Sequence, residues 1–300
     1  METELLAREL RRALPGLWLL ENELMNRHCS FRIGGPADLF AEPATETELA
    51  ALRQILWEKG VEAVTIGNGT NILAADEGIR GVVIHIGDAL GGTVFDDRNV
   101  TAGAGITLAQ LAVAAKDHGL TGLEFAHGIP GSLGGAVMMN AGAYGGEMKD
   151  VVASVRCMNE KGEVWETAEP EFSYRHSRFS DGTDLILGAS LRLTPGDPAA
   201  IQARMTELIE KRSASQPLEK PSAGSAFKRP KEGYAAAMID GAGLKGFRVG
   251  GAQVSEKHAG FIVNTGGATS ADVRKLMELV QEKVLSAYGV LLEPEIKFIP

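Results

Sequence analysis

Cysteine is nearly absent from this chain. The two thiols among 300 residues, Cys29 and Cys157, stand far apart, with no Cys-x-x-Cys pair and no His/Cys ligand spacing. Free thiols are expected, rather than a disulfide framework or a zinc site, and no metal is expected. Positive charge is in deficit: 30 Lys and Arg against 39 Asp and Glu give a net charge of −9. That argues against a general nucleic-acid binder, whose affinity rests on basic surface neutralising phosphates. It leaves room for one small basic pocket holding an anionic metabolite. No run of 18 or more apolar residues occurs, so no membrane-spanning helix is expected. The opening METELLARELRRALPG alternates charge with Leu5, Leu6, Leu10 and Leu14 at helical spacing. It lacks the basic start and unbroken apolar core of a secretory signal, and the cytoplasm is the expected compartment. Two familiar phosphate motifs are missing as well. In IGNGTNIL (66–73) Ile72 stands where the third glycine of a dinucleotide fingerprint belongs, and no Gly-Lys-Ser/Thr follows for a P-loop.

Glycine, by contrast, is abundant. The stretch AHGIPGSLGGAVMMNAGAYGGE (126–147) holds seven glycines in 22 positions: Gly128, Gly131, Gly134, Gly135, Gly142, Gly145 and Gly146. Each costs on the order of 0.5–1 kcal/mol relative to alanine in regular structure. A mobile linker is a poor reading, because Ile129, Leu133, Val137, Met138 and Met139 need packing. A packed stretch with little side-chain bulk can bring backbone N–H groups close to an anion, so a ligand cradle is preferred over a purely structural turn. With 66–73 and Gly103-Ala104-Gly105 it makes three glycine-rich loops, which suits a long ligand such as a dinucleotide.

Periodicity supplies the framework. A helix is predicted from Thr45 to Lys59, with Leu49, Leu52, Ile55 and Leu56 on one face, stopping at Gly60 before the strand VEAVTIG. The strand NVTAGAG leads into the helix TLAQLAVAAKDHG. Such units point to an α/β or α+β nucleotide-binding region. The texture changes at Val151, where two strands flank the turn Asn-Glu-Lys-Gly, and DLILGASLRLTPG is a further strand. Helices over Asp197–Arg212 and Tyr234–Asp240, the strand HAGFIVN, the helix SADVRKLMELVQEKVLSAYG and a closing strand VLLEPEIKFIP follow. This second half reads as a smaller α/β-plait domain.

Three clusters carry potential chemistry. Tyr174-Arg175-His176-Ser177-Arg178-Phe179 sets two guanidinium groups among aromatics, and an oriented guanidinium binds carboxylate or phosphate bidentately. The plainer reading is a solvated turn. In Pro221–Pro230, Ser225 precedes Lys228 and Arg229 between prolines. A serine hydroxyl donates a proton only to something strongly basic, such as a carbanion-like carbon, with a nearby cation stabilising the alkoxide left behind. In Leu292–Lys297, Glu293 and Glu295 fall two apart, hence on one face of a strand. Which of the two faces a functional site is left open by the pattern.

Together NRHCSFRIGGPADLF, IGNGTNIL, GIPGSLGGAVMMNAGAYGGE, YRHSRF, SAGSAFKRP, LKGFRVGGAQVSEKHAGFIVN and LEPEIKF occur in the order and spacing of one family. From about residue 22 to its C-terminus the chain resembles the UDP-N-acetylenolpyruvoylglucosamine reductases. The resemblance implies an α+β fold: a vanillyl-alcohol-oxidase/PCMH-type FAD-binding region of two α/β subdomains (1–90 and 91–200) and a smaller α/β substrate-binding domain (201–300). FAD is the implied cofactor, NADPH the co-substrate, and UDP-N-acetylglucosamine enolpyruvate the small-molecule substrate, reduced in peptidoglycan precursor synthesis. Matching positions make Arg175, Ser225 and Glu295 the catalytic set, with Ser225 the proton donor and the other two stabilising an enol. FAD is expected at Ile66, Gly67, Asn68, Gly69, Thr70 and Asn71, and at Gly128, Ile129, Pro130, Gly131, Ser132, Gly134, Gly135, Ala136, Asn140, Ala141 and Gly142. Lys228, Arg229 and His258 are expected to position the substrate. Arg229 stands where Asn is frequent in the family, and His28-Cys29 where Thr is usual. The short segment after YRHSRF resembles the compact type, which lacks a capping tyrosine loop. No nucleic-acid or membrane partner is expected, and no interface stripe argues against a monomer. Another flavin oxidoreductase of the same fold, or a non-catalytic nucleotide-binding protein, are the alternatives.

Overall fold

Helix ends in this protein follow capping chemistry. In the computed structural model, which describes residues 2–300, the Thr45 hydroxyl accepts the Glu48 N–H and starts the helix Glu46–Glu58. Thr107 and Gln110 form a reciprocal capping box at the head of Leu108–Asp117, and Thr269 with Asp272 does the same for Ser270–Tyr288. Gly289 closes that last helix in the left-handed conformation. These elements, and the short helix Ala235–Gly241, lie where the sequence predicts them.

The chain divides into two compact units, each assembled from three segments. The first contains Met1–Asn22, Asp38–Asn68 and Arg80–Lys211; the second contains Glu23–Ala37, Gly69–Ile79 and Arg212–Pro300. The first carries two sheets. In one, the strands run in the order Trp18–Leu24, Pro36–Glu42, Ile79–His85, Ala63–Ile66, with the last pair parallel. The other is antiparallel throughout, in the order Val164–Thr167, Val152–Met158, Leu185–Arg192, Asn99–Gly103, Thr93–Asp96. The change of texture at Val151 is therefore no boundary, because the strands after it complete a sheet with those at 93–103. One core of buried aliphatic side chains, including Leu39, Leu52, Ile84, Leu111, Val155 and Leu187, serves both sheets.

Arg53, on the helix Glu46–Glu58, ties that helix to the segments next to two strands of the second sheet. Only 6% exposed, it donates from Nε to the Asn159 carbonyl at 3.3 Å and from Nη2 to the Thr183 carbonyl at 2.9 Å. Burial pulls its pKa below the ordinary value, opposed by Glu160 and Asp184.

The second unit is built on an antiparallel sheet in the order Ser222–Ser225, Phe261–Asn264, Ala252–Val254, Arg248–Val249, with the helix Ser270–Tyr288 packed on it. The closing strand is shorter than the sequence suggests. Only Lys297–Ile299 is regular, pairing in parallel with Ile72–Ala74, because Pro294 has no N–H to donate and makes only an isolated bridge with Phe227. Among the described residues no helix is long and apolar enough to cross a membrane.

Arg53→Met keeps much of the side-chain volume but removes the donor to the Thr183 carbonyl, while the Asn159 carbonyl keeps the Gly162 N–H. The expected loss of stability is about 1–3 kcal/mol, read from denaturant midpoints; an unchanged midpoint would deny Arg53 this role.

Candidate active site

The glycine block folds onto the 66–68 turn. A Cβ placed on Gly67 would stand 2.3 Å from the Ser132 hydroxyl oxygen, so Gly67 makes room for the Ser132 side chain. Ser132, 2% exposed, precedes the short helix Leu133–Met138 and makes no side-chain cap bond. The N–H groups of Leu133 and Gly134 are taken by the carbonyls of Ile106 and Ala104, at 2.8 and 2.9 Å. Those of Ser132 and Gly135 find no acceptor among the described residues. The preference for a ligand cradle needs one amendment. Gly142 and Gly146 are required by protein neighbours, the Gly146 carbonyl and the Phe125 ring, whereas Gly145 has open space before it. Ala136 is buried, and its N–H and that of Ala141 are both spent inside the chain.

The Arg175 turn is anchored to the end of this block. Ser173 and His176 exchange N–H···O bonds at 3.0 and 3.2 Å, leaving Tyr174-Arg175 at the tip with Arg175 at φ +55°. The Arg175 guanidinium lies 5.2 Å from the centre of the Tyr174 ring. Ser177 and Ser180 both donate to the Met138 carbonyl, at 2.8 and 3.2 Å. Asn140, buried and expected as a cofactor contact, has its side chain fully engaged by protein groups.

In the second unit Ser225 and Glu295 are brought together by the backbone. Glu295 donates its N–H to the Ala226 carbonyl at 2.9 Å, and Lys228 donates its N–H to the Glu293 carbonyl at 2.8 Å. A register shift between Ser222 and Ser225, with Gly224 at φ +76°, bulges the strand just before the serine, which pairs with Phe261. The two glutamates differ: Glu293 is exposed and ion-paired with the Lys228 ammonium, while Glu295 is half-buried. Lys228 is thus held by Glu293 as well as standing beside the serine loop. Arg229 stacks on Tyr234, its guanidinium 4.0 Å from the ring centre. His258 packs edge-on against Phe261, and its Nδ1 accepts the Gly260 N–H at 3.2 Å, so the neutral ring carries its proton on Nε2. Burial, helped by the charge of Lys245, holds its pKa below the ordinary 6.5. Arg175 belongs to the first unit; Ser225, Glu295, Lys228, Arg229 and His258 belong to the second.

The 66–71 loop is shared out likewise, with Ile66–Asn68 in the first unit and Gly69–Asn71 in the second. Gly69, at φ +60°, presses against the His28 carbonyl, where a Cβ would stand 2.1 Å away. The His28-Cys29 departure is absorbed locally. His28 Nε2 pairs with Glu23 at 3.0 Å, and the Cys29 thiol donates to the Ile33 carbonyl at 3.2 Å. Ser30, which no motif singled out, donates to the Ser222 carbonyl at 2.6 Å and ties this stretch to the serine strand.

A phosphate-bearing flavin fits what the first unit offers. Ser132 and Gly135 have N–H groups without a protein acceptor near the bare Gly67, and His127 Nδ1 is buried with no protein partner.

Comparison with known proteins agrees with this chemistry. Residues 37–168 match the family model described as FAD binding domain, and residues 216–299 match that of the UDP-N-acetylenolpyruvoylglucosamine reductase C-terminal domain. A UDP-N-acetylenolpyruvoylglucosamine reductase of Heliobacterium modesticaldum is 48% identical, over 97% of this chain and 93% of its own. That of Caldanaerobacter subterraneus subsp. tengcongensis is 46% identical, over 99% and 98%. Among solved structures, the UDP-N-acetylenolpyruvylglucosamine reductase of Thermus caldophilus superposes with a TM-score of 0.81 at 34% identity, covering 95% of this chain and 99% of that one. The BBE-like 1 protein of Physcomitrella patens shares the fold over 63% of this chain and 44% of its own, with a TM-score of 0.51 at 16% identity.

Gly67→Ala is expected to displace Ser132 at a cost of about 1–3 kcal/mol and to lower the bound-flavin absorbance per mole of protein; adding Ser132→Ala restores it in part. If the single variant retains full flavin, the close approach is not what shapes the site. The lowered His258 pKa also makes stability pH-dependent. Below about pH 6.5 the unfolded chain binds a proton that the folded ring resists, so stability falls as pH falls. His127, shifted the same way by burial, adds to the effect. Melting temperatures between pH 7.5 and 5.5 should drop less steeply in His258→Gln than in the parent, and identical slopes would refute the assignment.

Proposed function

The chain belongs to the UDP-N-acetylenolpyruvoylglucosamine reductase family, and on that premise we propose that Ser225, Arg175 and Glu295 carry its chemistry, with NADPH as the electron donor. It is an FAD-containing oxidoreductase that reduces the enolpyruvyl group of UDP-N-acetylglucosamine enolpyruvate, giving UDP-N-acetylmuramate for peptidoglycan synthesis. Its architecture is the α+β fold expected, an FAD-binding region of the vanillyl-alcohol-oxidase type with a substrate-binding domain. The observation that carries the residue assignment is the backbone pairing that sets Glu295 beside the Ser225 loop.

When bound, FAD supplies two-electron chemistry, taking hydride from NADPH and giving it to C3 of the enolpyruvyl group. The residues above manage the charge and the proton. Hydride arrival at C3 leaves electron density at C2 and on the adjoining carboxylate, which the Arg175 guanidinium offsets. Glu295 stabilises the enol form by hydrogen bonding. Ser225 delivers its hydroxyl proton to C2, a carbon basic enough to accept it from so weak an acid, and recovers a proton from solvent. Lys228 and Arg229 add positive charge beside the serine loop for an anionic substrate, Lys228 reaching it only at the expense of its pair with Glu293. Neutral His258 offers an Nε2 proton as a hydrogen-bond donor. Ile66–Asn71 and the unoccupied N–H groups of 128–135 hold the cofactor, whereas the N–H groups of Ala136 and Ala141 are spent inside the chain.

We further propose that the protein is a cytoplasmic monomer with functional domains at 1–90, 91–200 and 201–300. The three principal sheets, formed within residues 18–85, 93–192 and 222–264, support that division. Cell fractionation and elution volume test the first part.

Ser225→Ala should leave bleaching of the flavin by NADPH intact while product formation falls by about two or more orders of magnitude, followed anaerobically at the flavin absorbance. Unaltered turnover in that variant removes Ser225 as the proton donor.

A further inference from the structure

We propose that Asn140 is a positioning residue for Arg175, its carboxamide setting the Tyr174-Arg175 turn against the end of the glycine block. The inference rests on the role proposed above for Arg175.

A carboxamide has two donor hydrogens and one acceptor oxygen with which to link separate chains. Asn140 uses them on three segments. Nδ2 donates to the Ser173 carbonyl at 3.0 Å and to Glu147 Oε2 at 2.9 Å, and Oδ1 accepts the Lys149 N–H at 2.9 Å. The residue is 1% exposed and itself adopts φ +41°. Asparagine tolerates the left-handed region better than most residues, and no other side chain matches this donor and acceptor set in the same volume.

What the amide holds is a strained turn. The Ser173 carbonyl already accepts the His176 N–H that closes the turn, so Asn140 fills its second lone pair. Arg175 stands at φ +55°, a conformation a bulky non-glycine residue adopts only when its surroundings insist. On the far side, Ser177 and Ser180 bind the Met138 carbonyl, two residues from Asn140. The turn is therefore pinned before and after Arg175 to the same short stretch, 138–140.

Glu147 supplies the charge. Its carboxylate is paired with Lys149 at 2.7 Å and shares the Asn140 amide. Its pKa is lowered by Lys149 first, then by Asn140 and by the charge of Arg175. Asn140 thus fixes both the backbone that carries Arg175 and the carboxylate whose field that guanidinium feels.

The test compares Asn140→Ala, Asn140→Asp, Arg175→Ala and the Asn140→Ala/Arg175→Ala double variant as flavin-loaded enzymes. Two rates are read: bleaching by NADPH, and reoxidation by the enolpyruvyl sugar nucleotide. Asn140→Ala should slow reoxidation by about 10–100-fold, the penalty of a misplaced catalytic group, with bleaching and flavin content unchanged. In the Arg175→Ala background the same change should have no further effect, because the group it positions is gone. Equal slowing in both backgrounds overturns the proposal and leaves the role of Arg175 standing. Normal reoxidation in Arg175→Ala fails that role itself, and the proposal with it. Asn140→Asp keeps the size and the acceptor but sets a carboxylate against Glu147 and the Ser173 carbonyl. It should be slow at neutral pH and recover on acidification, when the acid regains a donor hydrogen. Loss of flavin from both Asn140 variants would make the residue part of the cofactor wall and overturn the proposal.

Discussion

The approach of Gly67 to Ser132 is the constraint on which the first unit's chemistry depends. Gly67 carries no side chain of its own, and only the Ser132 side chain lies between the 66–68 turn and the glycine block. The contact leaves little freedom to the loop that follows the strand Ala63–Ile66 or to the start of the helix Leu133–Met138. The next links follow in order along the chain. The helix ends at the carbonyl to which Ser177 and Ser180 attach, and two residues later Asn140 reaches the turn that carries Arg175. The wall proposed for the cofactor and the anchor of the Arg175 turn thereby belong to one continuous stretch, 132–140.

The second unit achieves its placement differently. Ser225 and Glu295 lie seventy positions apart, yet main-chain hydrogen bonds from Lys228 and Glu295 lace the two segments together around the Phe227–Pro294 bridge. Because the lacing uses main-chain groups, the geometry survives changes in the surrounding side chains, and Arg229 is one such change. Its guanidinium finds a face on Tyr234 and leaves the serine loop's own pairing alone.

Much of this was legible in the residues. Thr45 and Gly60 marked the two ends of one helix, and the glycine loops declared a region of close backbone approach. The choice between Glu293 and Glu295 was not legible, because alternation on a strand is only a local rule and Pro294 breaks the strand. The environment distinguishes them: Glu293 faces outward to Lys228 and Glu295 is half-buried. The partners of Asn140 were not legible for a related reason. Its position in a glycine-rich motif suggested a ligand, and only the fold shows that Ser173, Glu147 and Lys149 claim its amide. Nor does local pattern reveal that residues 23–37 and 69–79 join the C-terminal unit, since that assignment rests on contacts made across more than a hundred positions.

The parallel pairing of Ile72–Ala74 with Lys297–Ile299 has a consequence for how the protein is made. The two strands are separated by 225 positions, so on the ribosome the first waits roughly 10–45 s for the second at about 5–20 residues per second. Throughout that interval Leu73, 1% exposed in the finished fold, and an unpaired strand edge stand open to other chains. The nascent protein is therefore most in need of a chaperone late in its synthesis, when its first unit has already emerged and its second is still missing a strand.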